Sequence, residues 1–264
     1  MKDILIKKAL LAIIITAFGT TNAAAISVKH HFDAVIGIFN AGEADFTYDV
    51  DNEKYAVNSK LYTKGVFNSL YPFEAKYSTS GRIEKEQMKT EHYSYESQSR
   101  FNKRTKKVLY SAEGLPLKSI SIKNGKKREK QIKIKDDVDN TTDLQSVMAA
   151  LARQYLQVGS CKAVRKVFDG KRRYNVLFEN LGQDWLDKDE RSPYFGKALK
   201  CSMSIDRLKE EGDDMLWKMT SDSPVYFWIM QDEKSSVPFI ARVKVGETPL
   251  GEMTVYTNKI EVNK

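Results

Sequence analysis

Cys161 and Cys201 are the two thiols of this 264-residue chain. A redox or catalytic thiol would need a C-x-x-C partner or a nearby His to lower its pKa, and the sequence around each has neither. An even cysteine count in an exported chain reads as one structural disulfide. Closing the loop of about 40 residues between Cys161 and Cys201 is worth ~4 kcal/mol in the chain-entropy model. Zinc would have two Cys plus His30, His31 and His92 to draw on, a poor ligand set.

Other residues suggest chemistry less directly. Asp169 beside Arg172 and Arg173 could be an acid held low by cations, the core of a hydrolase site. The same residues suit a turn at Asp169-Gly170, with the arginines pairing with carboxylates on neighbouring strands. Asp184, Asp187, Asp189 and Glu190 could gather oxygens around calcium, yet they lack the alternating spacing and Gly of an EF-hand loop, so a solvated loop is expected. His30 and His31 point to opposite faces of a strand, and at most one can serve a site. There is no G-x-S-x-G, S-x-x-K or H-E-x-x-H run and no phosphate-binding glycine loop. The sequence therefore assigns no catalytic residue, no metal and no cofactor.

These side chains must be positioned by strands, because the dominant period is two. Ala44, Phe46, Tyr48 and Val50 alternate with polar neighbours, as a half-buried strand does. Phe32–Phe39 is nearly all apolar and Asn40-Ala41-Gly42 offers a turn, which predicts a hairpin over 28–50 whose first strand is covered on both faces. Residues 66–71 suit one helical turn before Pro72. Strands are expected at 54–63, 73–79, 89–97, 105–111, 117–123 and 128–134, and again at 161–168, 174–181, 198–205, 225–232, 237–245 and 252–262. One segment departs from this rhythm. Leu144, Val147, Met148, Leu151 and Tyr155 recur at three and four, with Asp143 or Thr142 as N-cap and Gly159 as stop, so 143–158 should be an amphipathic helix packed on the sheet.

The N-terminus sets the compartment. A basic head to Lys8, an apolar run Ala9–Phe18 and Ala23-Ala24-Ala25 have the order of a cleavable signal peptide, with cleavage expected after Ala25. The apolar run is short of the ~20 residues that span a bilayer, so no transmembrane anchor is expected after cleavage. A soluble periplasmic product follows, with residues 26–264 as one β domain.

Charge placement is the most distinctive surface feature. Between residues 98 and 135, thirteen Lys and Arg face two acids, an excess of eleven positive charges in a chain whose whole net charge is +8. Asn124-Gly125 marks a type I′ hairpin tip, and Lys123, Lys126, Lys127, Arg128 and Lys130 flank it. Lysines guard exposed strand edges, and a patch of one sign also captures anionic partners. Export argues against nucleic acid; anionic lipid, lipopolysaccharide or an acidic envelope protein fits. On the strand at 225–232, Tyr226, Trp228 and Met230 share one face and Val225, Phe227 and Ile229 the other. The first set could line an apolar pocket for an acyl chain, or simply pack in the core.

Several segments belong together: Gly37-Ile38-Phe39-Asn40-Ala41-Gly42, Leu70-Tyr71-Pro72-Phe73 before Ser80-Gly81, and the polar 139–142 stretch leading into a helix. Cys161 with Val167 to Tyr174, and Ala198-Leu199-Lys200-Cys201, complete the set. In this arrangement the chain resembles an exported bacterial family called domain of unknown function 3108. The resemblance implies a periplasmic antiparallel half-barrel or β-spiral similar in outline to lipoprotein carriers, and it brings no reaction with it. The sequence reading is thus a mainly β protein, a curved antiparallel sheet with one packed amphipathic helix. Its expected role is non-catalytic envelope maintenance by binding an amphiphile or anionic envelope component, the rival being a hydrolase around Asp169.

Overall fold

A computed structural model describes residues 25–85, 87–133, 141–207, 219–248 and 251–263. The expected signal segment lies outside the described residues except for Ala25. Chain order begins with β1 (Ile26–Ile36), β2 (Phe39–Val50), β3 (Lys54–Thr63), the short helix α1 (Gly65–Leu70), β4 (Phe73–Glu84) and β5 (Gln87–Ser99). It continues through β6 (Lys103–Tyr110), β7 (Pro116–Lys123), β8 (Lys126–Gln131), the long helix α2 (Leu144–Val158), β9 (Ala163–Phe168) and β10 (Arg173–Leu186). The last elements are β11 (Gly196–Arg207), β12 (Val225–Gln231), β13 (Pro238–Thr248) and β14 (Gly251–Asn263).

Among the described residues, these fourteen strands form one antiparallel sheet in the order β8-β7-β6-β5-β4-β3-β2-β1-β14-β13-β12-β11-β10-β9. The chain enters in the middle and meanders out to β8. It then returns from the far edge, β9, until β14 pairs with β1. This is the mainly β, antiparallel and unclosed architecture expected from the period-two pattern.

The link between the two edges is α2, which contacts β3, β4 and β5 on one wing and β9 and β13 on the other. Asp143 caps it as expected, accepting from the Gln145 and Ser146 amides at 3.0 and 3.2 Å. Gly159 ends it in the left-handed region at φ +63°, where glycine has no Cβ penalty. Val147 and Leu151 sink into a core with Val167, Val176, Phe178, Phe227 and Ile229, while Ala149 packs with Tyr55 and Val57 of the other wing. The helix therefore holds both halves of the sheet by burying one stripe against each.

The free edges are managed differently. All six side chains of β8 are exposed and five are charged, which discourages further strand addition. The edge of β9 is covered by the segment before α2: the Thr142 amide donates to Lys166 O at 3.0 Å and the Phe168 amide to Thr142 O at 2.9 Å.

The structure moves some expected boundaries. The first hairpin turns at Gly37-Ile38, with Gly37 at φ +60°, and Asn40–Gly42 already lies within β2. The pairing of β1 with β2 shifts between Ala34 and Val35, which leaves the buried Ala41 as the extra, unpaired residue of a bulge. The expectation that the first strand is covered on both faces holds in part: on the side away from α2, Lys29 is exposed and His31 and Asp33 lie half-buried, the latter two beside Asp45 and Glu43. Cys161 sits between α2 and β9 rather than in a strand. It is bonded to Cys201 of β11, so the disulfide ties the end of the helix to the sheet. The 124–125 tip is as expected, with Asn124 and Gly125 at φ +48° and +81°.

Candidate functional site

A cavity of about 490 Å³ lies between α2 and the middle of the sheet. Alternation builds its floor: Ile26, Val28, His30 and Phe32 come from one face of β1, and Phe46, Tyr48 and Val50 from the same face of β2. Met148, Leu151, Ala152, Tyr155 and Leu156 descend from α2, and Ile229 with Pro238, Phe239 and Ile240 closes the side formed by β12 and β13. The exposed lining residues are Asp51 and Asn52 of the β2–β3 turn and Leu156 and Gln157 of the last helical turn, which places the opening there.

Apart from the half-buried guanidinium of Arg153 on α2, the polar groups in this wall carry little charge. His30 is enclosed by Phe32, Phe46 and Phe239, with ring centroids 5.6, 6.2 and 6.3 Å away. Burial lowers its pKa to about 4, so the imidazole is neutral at pH 7. Burial raises the Tyr48 phenol to about 12, and its buried hydroxyl has no hydrogen-bond partner among the described residues. The chamber is thus a largely apolar enclosure with two neutral polar groups in its floor, one cation, Arg153, in its helical wall and a polar mouth, a form suited to holding the chain of an amphiphile.

The other expected site residues lie elsewhere. Tyr226, Trp228 and Met230 do not line the cavity; it is Ile229, from the opposite set on β12, that does. The Trp228 indole donates to Asp184 Oδ2 at 2.9 Å, and Lys200 Nζ lies 5.4 Å from the Trp228 ring centroid and 5.5 Å from that of Tyr226. Asp184 is thereby engaged, and Asp189 accepts from the Arg191 amide at 3.0 Å. Asp184, Asp187, Asp189 and Glu190 form no metal-holding group among the described residues. A different trio, His31, Asp33 and Glu43, brings its ligand atoms within 4.8 Å of one another. Its carboxylates already accept from protein groups: Glu43 from Tyr62 Oη at 2.6 Å and Lys64 Nζ at 3.0 Å, and Asp33 from Asn258 Nδ2 at 2.6 Å.

Asp169 is the first residue of the β9–β10 turn. One carboxylate oxygen accepts from the Lys171 and Arg172 amides, both at 2.9 Å, and the other from Arg172 Nε and Nη2 at 2.8 and 2.7 Å. Burial pushes its pKa up, but the Lys106 charge and the Arg172 hydrogen bonds outweigh it and hold the carboxyl low. Gly170 at the tip is buried at φ +88°, and a Cβ there would meet Val108 Cγ2 at 2.8 Å. This turn is pressed into the β6–β7 wing, with its acid fully committed.

Of the basic residues around the β7–β8 tip, Lys127 pairs with Glu129 at 2.6 Å, as does Lys118 at 2.5 Å. These two contacts pull the Glu129 carboxyl down to about 2. Lys126, Arg128 and Lys130 alternate on one face of β8, and Lys126 faces Lys123 across the turn.

Sequence reading missed the cavity, although its signal is present in the alternation of Ile26, Val28, His30 and Phe32 with that of Phe46, Tyr48 and Val50. None of the described helices is long and apolar enough to cross a membrane. A search of curated proteins finds no match. Among solved structures, a β-barrel-like protein of domain of unknown function DUF1849 from Brucella abortus aligns with 90% of this chain and 98% of its own, at 10% identity and TM-score 0.54. That likeness is one of fold. A complex of MucB with MucA(peri) aligns over 91% and 88% of the two chains at 11% identity, with a TM-score of 0.13 that is too low to bear on the fold. With a family model matching residues 31–256, the chain belongs to the family described as protein of unknown function DUF3108.

Proposed function

We propose that this is an exported, periplasmic binding protein of the cell envelope that holds the apolar chain of an amphiphile between α2 and the sheet, without catalysis. The observation that carries this reading is the cavity: about 490 Å³, walled by β1, β2, β13 and α2, and opening beside Leu156 and Gln157. Ligand pockets of roughly 300 to 1,000 Å³ with apolar walls and few polar groups are the usual form of small-molecule sites. Each methylene taken from water into such a wall contributes about 0.8 kcal/mol. Neutral His30 and Tyr48 add hydrogen-bonding capacity without a buried charge. The signal-like N-terminus and the Cys161–Cys201 bond support an oxidising compartment. The hydrolase alternative around Asp169 is less well supported, since both carboxylate oxygens are occupied by the turn and by Arg172.

The test is uptake of a fluorescent long-chain fatty acid. Ala152→Phe fills the chamber from a helical position and should reduce uptake at least tenfold while leaving the melting temperature nearly unchanged. Undiminished uptake by a folded Ala152→Phe protein would remove the cavity as the binding site. Mass spectrometry of lipid extracted from protein purified from its own periplasm would then identify the natural occupant.

A further inference from the structure

In an antiparallel meander alternate turns lie at the same end of the sheet, so the β1–β2 turn, α1, the β5–β6 turn and the β7–β8 turn share one rim. Hydrogen bonds join these parts. The Lys64 amide beside α1 donates to Ala41 O on β2 at 3.1 Å, and Arg100 Nη2 in the β5–β6 turn donates to Ser69 O of α1 at 3.0 Å. Asn124 of the β7–β8 turn accepts from the Lys103 amide at 2.8 Å and donates through Nδ2 to Phe101 O at 3.4 Å.

The apolar side chains on this rim point into water. Ile38 is 82% exposed, Leu70 66%, Tyr71 77% and Phe101 77%. Large apolar groups at consecutive turn tips of one end are not scattered surface residues, and they cost solubility unless they meet a surface. Around them stand Arg100, Lys103, Arg104, Lys123 and Lys126, all exposed. The one acid between residues 100 and 128, Glu113, lies in the β6–β7 turn at the opposite end of the sheet.

From this we infer that the rim docks on the surface of an anionic lipid bilayer, its cations meeting lipid phosphates while Phe101, Tyr71, Leu70 and Ile38 enter the interface. Two features select a bilayer over a soluble acidic protein. The apolar groups sit at turn tips rather than in a pocket that could receive a partner's side chain, and an aromatic tip ringed by Arg and Lys matches the layered polarity of a headgroup region. The inference rests on the rim and not on the cavity, so each can fail without the other; together they would place a chain-holding chamber on a protein seated at a membrane.

Sedimentation with vesicles of phosphatidylethanolamine and phosphatidylglycerol, against neutral phosphatidylcholine vesicles, tests it. The protein should partition at least tenfold more to the anionic vesicles, and the preference should fall as salt is raised. Replacing Arg100, Lys103 and Arg104 by Gln should weaken binding by on the order of a hundredfold, since each cation near the surface contributes roughly fivefold. Phe101→Trp serves as a reporter: its fluorescence should be quenched by lipids brominated on the acyl chain. Equal partition to both vesicle types, or wild-type partition of the triple Gln variant with an unchanged melting temperature, would overturn the proposal. A reporter left unquenched in vesicle-bound protein would overturn it too, because the rim would then not enter the interface. Each variant is at an exposed position, so folding is checked by melting rather than assumed.

Discussion

Lys106 Nζ on β6 donates to the main-chain oxygen of Asp169 at 2.9 Å and lies 3.6 Å from its carboxylate, across the gap between the two wings of the sheet. In the sheet order β6 and β9 stand near opposite edges, so this contact records how far the sheet curls. Asp169 thus works as a latch: its carboxylate orders the β9–β10 turn and presents that turn to the other wing.

Asp169→Asn keeps the turn-forming side chain but removes the charge that Lys106 and Arg172 face. Breaking a buried charge pair by removing one partner typically costs about 3 to 5 kcal/mol, and the partial exposure here argues for the lower end or below. The folded carboxyl lies below its ordinary value of 3.8. Its contribution to stability is therefore present above that value and is lost as pH falls through the folded pKa. Urea unfolding at pH 7 should show a clearly lower midpoint for the variant, with the difference shrinking toward pH 3. Identical midpoints at pH 7 would mean that the latch does not hold the wings.

A second joint between the wings is the buried Asp143. Its Oδ1 accepts from the Gln145 and Ser146 amides and from Thr79 Oγ1 at 2.8 Å; its Oδ2 accepts from Thr90 Oγ1 at 2.9 Å and Ser146 Oγ at 2.6 Å. Thr79 and Thr90 belong to β4 and β5, so the helix cap is also the anchor of α2 on that wing. Loss of an ordinary cap costs ~1 kcal/mol, and each buried group left unpaired adds about 1 to 3. Asp143→Ala should therefore destabilise by about 3 kcal/mol or more, while Asp143→Asn, which can still cap, should lose less. A loss for Asp143→Ala no larger than the ~1 kcal/mol of an ordinary cap would show that the anchoring hydrogen bonds contribute little.

The backbone plan was largely legible in the sequence, because alternation in Ala44–Val50 and the three-four spacing from Leu144 to Tyr155 are local signals. Asp143 and Gly159 marked the ends of α2 for the same reason. The position of the cavity was not legible. On β12, Val225, Phe227 and Ile229 are as apolar as Tyr226, Trp228 and Met230, so alternation alone cannot say which set faces the helix; the crossover of α2 and the curl of the sheet decide it. The first turn was misplaced because Asn40-Ala41-Gly42 has turn composition, whereas the register of β1 against β2 and the bulge at Ala41 put the reversal at Gly37. The rim was hidden because Ile38, Leu70, Tyr71 and Phe101 are far apart in sequence and meet through the meander.

The disulfide gives a third expectation. Cys161 and Cys201 are 40 residues apart and both are fully buried beside Val147 and Leu151. Constraining a loop of that length in the unfolded chain is worth ~4 kcal/mol. Replacing both by Ser also places hydroxyls in an apolar core, whereas replacing both by Ala does not. The Ala pair should lose about that amount and the Ser pair more, read from urea midpoints of oxidised wild type against each. A Ser pair as stable as the wild type would show that neither the bond nor its surroundings matter to the fold.

The pH response of the cavity floor separates His30 from Asp169. Its folded pKa of about 4 lies below the ordinary 6.5, so between those values the unfolded chain binds more protons than the folded one. Stability must then rise with pH across that window: it is complete above about 6.5 and declines as pH falls toward 4, on the order of 3 kcal/mol in all. Asp169 titrates below this range, so the two slopes can be told apart. His30→Phe keeps a flat ring against Phe32, Phe46 and Phe239 and removes the titration. Its unfolding free energy, followed by urea titration at pH 4.5, 5.5, 6.5 and 7.5, should be nearly level where that of the wild type climbs. A variant that keeps the wild-type slope would place the titrating group elsewhere, and His30 would then be reached by water rather than sealed in the floor.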